Sequence, residues 1–365
     1  MVCKGHTLMK TTVPLSRERS AERFLGLFVG TSLAHTTRAT TSRDGDRSLS
    51  SIMGTFAKRI GQLMARSVES ESSNIIKTIS ANKSGLSKAL DTTLRTSHDM
   101  KVFGLGTAAS MASLPRYARF TSSMHAVYSA METSMDDCKS AAVQHTWSEF
   151  SEQLRRAAAL SADLDEAQVL ARGLSVTTDV DNISPATRSY VAAIRAAAKS
   201  DDETGGARLL GHLYCRYVSS DQQLKLRPLE RPLHLHTPVS ARSTHDPNFF
   251  RFAPLHHQFA DLFGGQALAG PYRWALGLGP TSPRHYDFGE FGRERRESIE
   301  QIYSSLNAAG EMLGSDAQRE AVVDEAKTAF RHNVLVYRED GRLVSDGALG
   351  MTKMIGGFVR SRLAT

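Results

Sequence analysis

Beyond about residue 84, apolar residues recur at three- and four-residue steps, the period of one face of an α-helix. Leu86, Ala89, Leu90, Leu94, His98 and Val102 form the first such stripe. Ser184-Pro185 reads as an N-cap followed by proline in the first turn, opening a helix through Tyr190, Val191 and Ile194. Leu209, Leu210, Leu213, Tyr214 and Tyr217 make a further stripe. Gly314 closes one helix, and Ser315 with Gln318 forms a capping box for the next. That helix is predicted to bury Val322, Val323, Ala326, Phe330, Val334 and Tyr337. The period-two alternation of strands is nearly absent. The pattern predicts an all-α fold, one domain over about 84–340, followed by a C-terminal tail over 341–365.

Two stretches break the pattern. Residues 1–80 are rich in Ser and Thr, lack sustained periodicity and carry 12 Lys/Arg against 6 Asp/Glu. They read as a disordered leader resembling an organelle transit peptide, although Asp44 and Asp46 are unusual in one. The second stretch, 220–260, holds five of the 11 prolines and five of the 13 histidines, and a helix cannot run through it. A structureless excursion of that length is uncommon inside a compact domain. It reads as an insertion, either a surface loop or a retained intron. Its histidines (His234, His236, His245, His256, His257) lack helical ligand spacing and do not suggest a metal site.

Composition narrows the class. A chain of 365 residues, 41% hydrophobic, can bury a substantial core. Three cysteines without a CxxC spacing argue against a disulfide scaffold or a thiolate zinc site. No apolar run reaches the 18 or so residues of a membrane span, and "FLGLFVG" is far too short. The net charge of +7 is concentrated in the leader rather than on one helix face, so no nucleic-acid partner is expected.

The stretch with most chemistry is "ADLFGGQALAG", directly after the insertion. Each of Gly264 and Gly265 weakens a helix by roughly 1 kcal/mol relative to alanine. Lacking a Cβ, they let backbone approach a flat ligand closely. Asp261 precedes them, and a carboxylate among apolar residues needs hydrogen-bond partners.

Together "VVDEAKTAFRHNV", "YCRY" and "DLFGGQ" resemble the heme oxygenase family, over about residues 86–340. Deleting Ser220 to Ala260 leaves "YCRYVSDLFGGQALAG" and restores the family's four-residue spacing between Arg216 and Asp261. The resemblance implies a helical fold sandwiching heme between a proximal helix, whose His98 is the axial ligand of the heme iron, and a distal helix crossed at Gly264 and Gly265. It implies that Asp261 organises water for oxygen chemistry, supported by Tyr128, Tyr190, Arg216 and Asn333. Tyr214 is placed near the propionates, and Phe330 and Tyr337 near the macrocycle. The implied reaction converts heme to biliverdin, iron and carbon monoxide with oxygen, using reduced ferredoxin or a flavoprotein reductase as electron donor. A soluble monomer in the plastid is the implied setting, with mitochondrion or cytoplasm as alternatives.

Several positions depart from the family. Asp91, Glu300 and Ser304 fall where basic residues clamp the propionates, Ala260 replaces a glycine, and Phe263 replaces a serine. Arg95, or the run Arg293 to Arg296, is a candidate substitute clamp. These departures keep open a non-catalytic protein of the same fold that binds heme or another ligand.

Overall fold

The computed structural model describes residues 79–95, 100–171, 183–218, 266–339 and 341–363. The leader through residue 78, the 220–260 insertion, His98, Asp261, Gly264 and Gly265 lie outside the described residues. The described elements are all helical. A 3-10 turn at Ala81–Lys83 leads into α1 (Gly85–Arg95), α2 (Met100–Ser110), α3 (Leu114–Asp137), α4 (Ala141–Leu154), α5 (Ala157–Leu170), α6 (Pro185–Thr204) and α7 (Leu209–Leu213). A π-helical turn, Tyr214–Val218, extends α7. Then follow α8 (Gln266–Leu276), a 3-10 turn at Arg284–Tyr286, α9 (Gly289–Arg293), α10 (Arg295–Met312), α11 (Asp316–Arg338) and α12 (Leu343–Leu363). No described helix is long and apolar enough to cross a membrane.

Local chemistry sets the helix ends. Ser113 caps α3 by accepting the Arg116 N–H, with Pro115 in the first turn. Ser184 caps α6 through Thr187 N–H in the same way, as the sequence predicts. At α11 Ser315 accepts Gln318 N–H, but the Gln318 side chain accepts from Gly314 rather than Ser315 and donates to the Thr204 carbonyl. The expected capping box is therefore one residue wider and also ties α11 to the end of α6.

The long helix α3 packs against α5 and α6; α11 packs against α6, α7 and α1; α10 packs against α4 and α1. Their facing residues, among them Leu90, Met124, Trp147, Ile194, Leu210, Ile302 and Val322, form the main core. A smaller core joins α2, α3, α5, α8 and α12 around Met111, Tyr117, Leu164, Tyr272 and Met354. Gly211 is required where α7 meets α11: a Cβ there would stand 2.6 Å from the Val322 carbonyl oxygen and 2.7 Å from the Ala326 nitrogen.

Four expectations are corrected. The 341–365 segment is not a tail, because residues 343–363 form α12, packed on α2 and α8. The domain begins before residue 84, since Ile79 is buried in the main core. Ala89 is exposed, and the first stripe is divided between α1 and α2. Val323 and Tyr337 are only half-buried against the core.

The α6–α7 junction carries a titratable staple. Asp201 accepts backbone N–H groups of Arg208 at 2.7 Å and Leu209 at 2.9 Å, while Gly205 turns the chain at φ +66°. Burial outweighs these bonds and pushes its carboxyl up to about 6. A raised folded value means that stability from this group is full at low pH and lost as pH rises between about 4 and the folded value. Asp201→Asn removes that titration. Its stability relative to the parent should therefore increase between pH 4 and pH 6.5 in urea unfolding, and a constant difference would refute the assignment.

Candidate active site

The π turn sets the site's geometry. Helix α7 is buried on all sides, and widening it to a π turn at Tyr214–Val218 re-aims the side chains that follow. Arg216, 4% exposed, sits in this turn. Its Nε donates to the Tyr128 hydroxyl at 3.2 Å and its Nη1 to Asn333 Oδ1 at 2.9 Å. The guanidinium also lies 5.0 Å from the Tyr128 ring centroid, a cation–π contact. Asn333 Nδ2 donates to the Ala329 carbonyl, to Cys215 Sγ and, at 3.4 Å, to the Tyr190 hydroxyl. Tyr128, Tyr190, Arg216 and Asn333 thus converge in one buried network from α3, α6, the π turn and α11.

Taking a guanidinium out of water is costly, so these hydrogen bonds are what make the position tolerable. Burial pushes the Tyr190 hydroxyl far up and the Cys215 thiol up to about 11. Both stay protonated at neutral pH, and the network offers one fixed cation among neutral donors and acceptors. The Tyr190 ring stacks on His332 at 5.3 Å and tilts against His212 at 5.7 Å. His212 Nε2 lies 3.1 Å from Glu325 Oε1. Burial raises the Glu325 carboxyl, but His212 and Arg208 outweigh it and hold it below its ordinary range. Cys215, His212 and Glu325 were not singled out from the sequence, because spacing alone does not tell which polar groups on buried helices will pair.

Tyr214 faces elsewhere. Its hydroxyl donates to Asp91, which also accepts from the Tyr303 hydroxyl at 2.9 Å and from Asn82 Nδ2 at 3.1 Å. Asp91, 2% exposed, is the acceptor that ties α1 to the π turn and α10. Glu300 accepts the backbone N–H groups of Ser80 and Ala81 and so caps the first 3-10 turn. Both acids therefore have structural work at positions where the resemblance calls for bases, and Ser304 is exposed. Phe330 contacts Phe103 of α2 at 4.9 Å; Phe103 in turn meets Tyr337 at 5.3 Å, and Tyr337 stacks on Phe120 at 5.4 Å. Along the chain, His98 falls between α1 and α2, and Asp261, Gly264 and Gly265 fall just ahead of α8. Among the described residues no group of three or more His, Cys, Asp or Glu is placed to hold a metal ion.

The fold and site define a class: a helical protein with a buried guanidinium held by phenol and amide groups from four elements. Residues 84–221 match the family described as heme oxygenase. That stretch contains Tyr128, Tyr190 and Arg216, and the chain resembles heme oxygenases there. Among solved structures, heme oxygenase-1 from the cyanobacterium Synechocystis in complex with heme is 20% identical, covering 83% of this chain and 99% of that one, with a TM-score of 0.39. No curated protein matches the chain.

Proposed function

We propose that this protein is a heme-degrading oxidoreductase that opens heme to biliverdin with release of iron and carbon monoxide. The observation that carries the reading is the meeting of Arg216, Asn333, Tyr128 and Tyr190, drawn from distant parts of the sequence, in one hydrogen-bonded, buried network. The described residues fit the group in part. Aromatic side chains of α2, α3 and α11 suit an apolar macrocycle, and the network suits a reaction that consumes oxygen and protons. Asp91 and Glu300 do not suit its carboxylates, which want charge-assisted donors.

In this reading His98 holds the iron, Gly264 and Gly265 admit backbone to the macrocycle face, and Phe330 packs near it. Bound heme supplies the iron at which oxygen is activated. The chain's own part is to hold a proton where it is needed. Arg216 fixes the orientation of Asn333 and Tyr128, and Tyr190 is kept neutral; Asp261 would organise water for the oxygen chemistry. A preorganised network of this kind costs no reorganisation during the reaction. Reduced ferredoxin or a flavoprotein reductase supplies electrons, and the leader directs the protein to the plastid. A second reading, a heme- or ligand-binding protein without turnover, is favoured by the two acids at the clamp positions.

Reconstitution of the full chain, and of a form lacking Ser220–Ala260, with hemin discriminates the two. The enzyme reading expects a Soret band lost on His98→Ala, then biliverdin after addition of reductant and oxygen. Heme bound with no biliverdin from either form leaves the binding protein.

A further inference from the structure

Helix α12 lies outside the stretch that matches heme oxygenases, yet α2 and α8 are its main partners among the described elements. For α8, α12 is the principal described neighbour, and Tyr272 of α8 also packs on Tyr117 of α3 and on Tyr286 of the 3-10 turn Arg284–Tyr286. An eleven-residue helix is not stable alone in water, so α8 stays where its packing holds it. It also contains Pro271, which weakens it further. In the chain, α8 continues directly from Asp261 and the glycine pair, and α2 begins two residues after His98.

The contact is made by backbone. A Cβ on Gly357 would stand 2.0 Å from the Trp274 carbonyl oxygen in α8, and one on Gly350 would stand 1.7 Å from the Ala108 carbonyl oxygen in α2. Phe358 meets the Trp274 ring edge-on at 4.9 Å, and Met354 packs in the apolar cluster that contains Tyr272. Tyr272 in turn shares a 2.5 Å hydrogen bond with Ser110 at the end of α2. Glycine weakens a helix interior, and α12 tolerates it where another helix backbone fills the space. The exception is Gly356, around which a Cβ would meet nothing within 4 Å.

We infer that α12 is the seat of α8, and that Gly357 and Phe358 are positioning residues for α8, the helix that follows Asp261, Gly264 and Gly265 along the chain. The seat follows from the packing; the positioning role rests on the heme oxygenase reading. The adjacent glycines supply the test. Alanine at either position brings the same gain in helix propensity, but only Gly357→Ala drives a methyl group into α8.

Hydrogen exchange of the full-length, ligand-free protein, followed by mass spectrometry, reads the seat directly. In Gly357→Ala, peptides of α8 should lose protection by about tenfold or more while α4 and α6 keep theirs, and Gly356→Ala should match the parent. Phe358→Ala, which removes a ring without introducing a clash, serves if Gly357→Ala does not fold. Unchanged protection of α8 in both Gly357→Ala and Phe358→Ala overturns the seat. Hemin release by the same proteins then reads the positioning role. It should accelerate by about tenfold where α8 is loosened, the scale of a single lost packing contact. A rate unchanged despite a loosened α8 overturns that role. If the parent binds no hemin, the heme reading fails, and the exchange data alone still decide the seat.

Discussion

On the heme oxygenase reading proposed above, Arg216→Leu should slow biliverdin formation by about 100-fold or more while leaving hemin bound, the scale on which a proton-delivering network contributes to a rate. Leucine removes the donors that reach Tyr128 and Asn333 and fills much of the same volume. The proposed reading gives iron ligation to His98, on a different part of the chain, so the Soret band should persist. The Asn333 amide would lose the bond that fixes its orientation, and its remaining contacts to Ala329, Cys215 and Tyr190 would not restore the lost positive charge. Asn333→Ala should give a similar but smaller loss. The double variant should be hardly slower than Arg216→Leu alone, because groups acting through one network are not additive. Lysine is a poor rescue, since it lacks the fork that reaches two partners at once. Single-turnover spectra, with circular dichroism to confirm folding, test these statements. Biliverdin formed by Arg216→Leu at the parent rate would remove the network from the reaction.

The helices were legible because burial follows a 3.6-residue period: the stripes through Leu209–Tyr217 and Val322–Val334 lie in the core. The caps at Ser184 and Ser315 were legible because short polar side chains there meet free backbone N–H groups. Tyr128, Tyr190, Arg216 and Asn333 were named through the resemblance, since periodicity tells which face is buried and not which buried polar groups will pair. Asp91 shows the limit. In the sequence it stands out only as an acid where the resemblance calls for a base, and it is Tyr214, Tyr303 and Asn82, distant in sequence or on another element, that make it an interior residue. Helix α12 escaped notice for a related reason. Gly347, Gly350, Gly356 and Gly357 depress its apparent helix propensity, and the backbones that justify Gly350 and Gly357 belong to α2 and α8. The π turn leaves no sequence signal at all, because its extra residue per turn is decided by packing.

Asp163→Ala should cost about 3 kcal/mol of stability, the scale for stripping the acceptor from a buried charged cluster. The carboxylate is buried on α5 and accepts Arg284 N–H at 2.8 Å, His285 N–H at 3.1 Å and His285 Nδ1 at 2.8 Å. It thereby pins the 3-10 turn Arg284–Tyr286 to α5. Glu166, one helical turn on, accepts from Gly279 at 2.8 Å, from Ser282 and from Arg284 at 2.9 Å, but closer to solvent. Glu166→Ala should therefore cost less, about 1 kcal/mol, as for a partly exposed ion pair. The two are also separated by pH. Burial raises the Asp163 carboxyl, but His285 and the two backbone N–H groups outweigh it and hold it below its ordinary range. A depressed folded value gives stability that is present above about pH 4 and lost as pH falls through the folded value. Urea unfolding of the parent should therefore lose stability on acidification relative to Asp163→Ala, and the gap between them should close. A gap that stays constant down to pH 3 would mean that the ionised carboxylate is not what pins the turn. The staple would then reside in the Glu166–Arg284 pair, and Glu166→Ala would be the more damaging change.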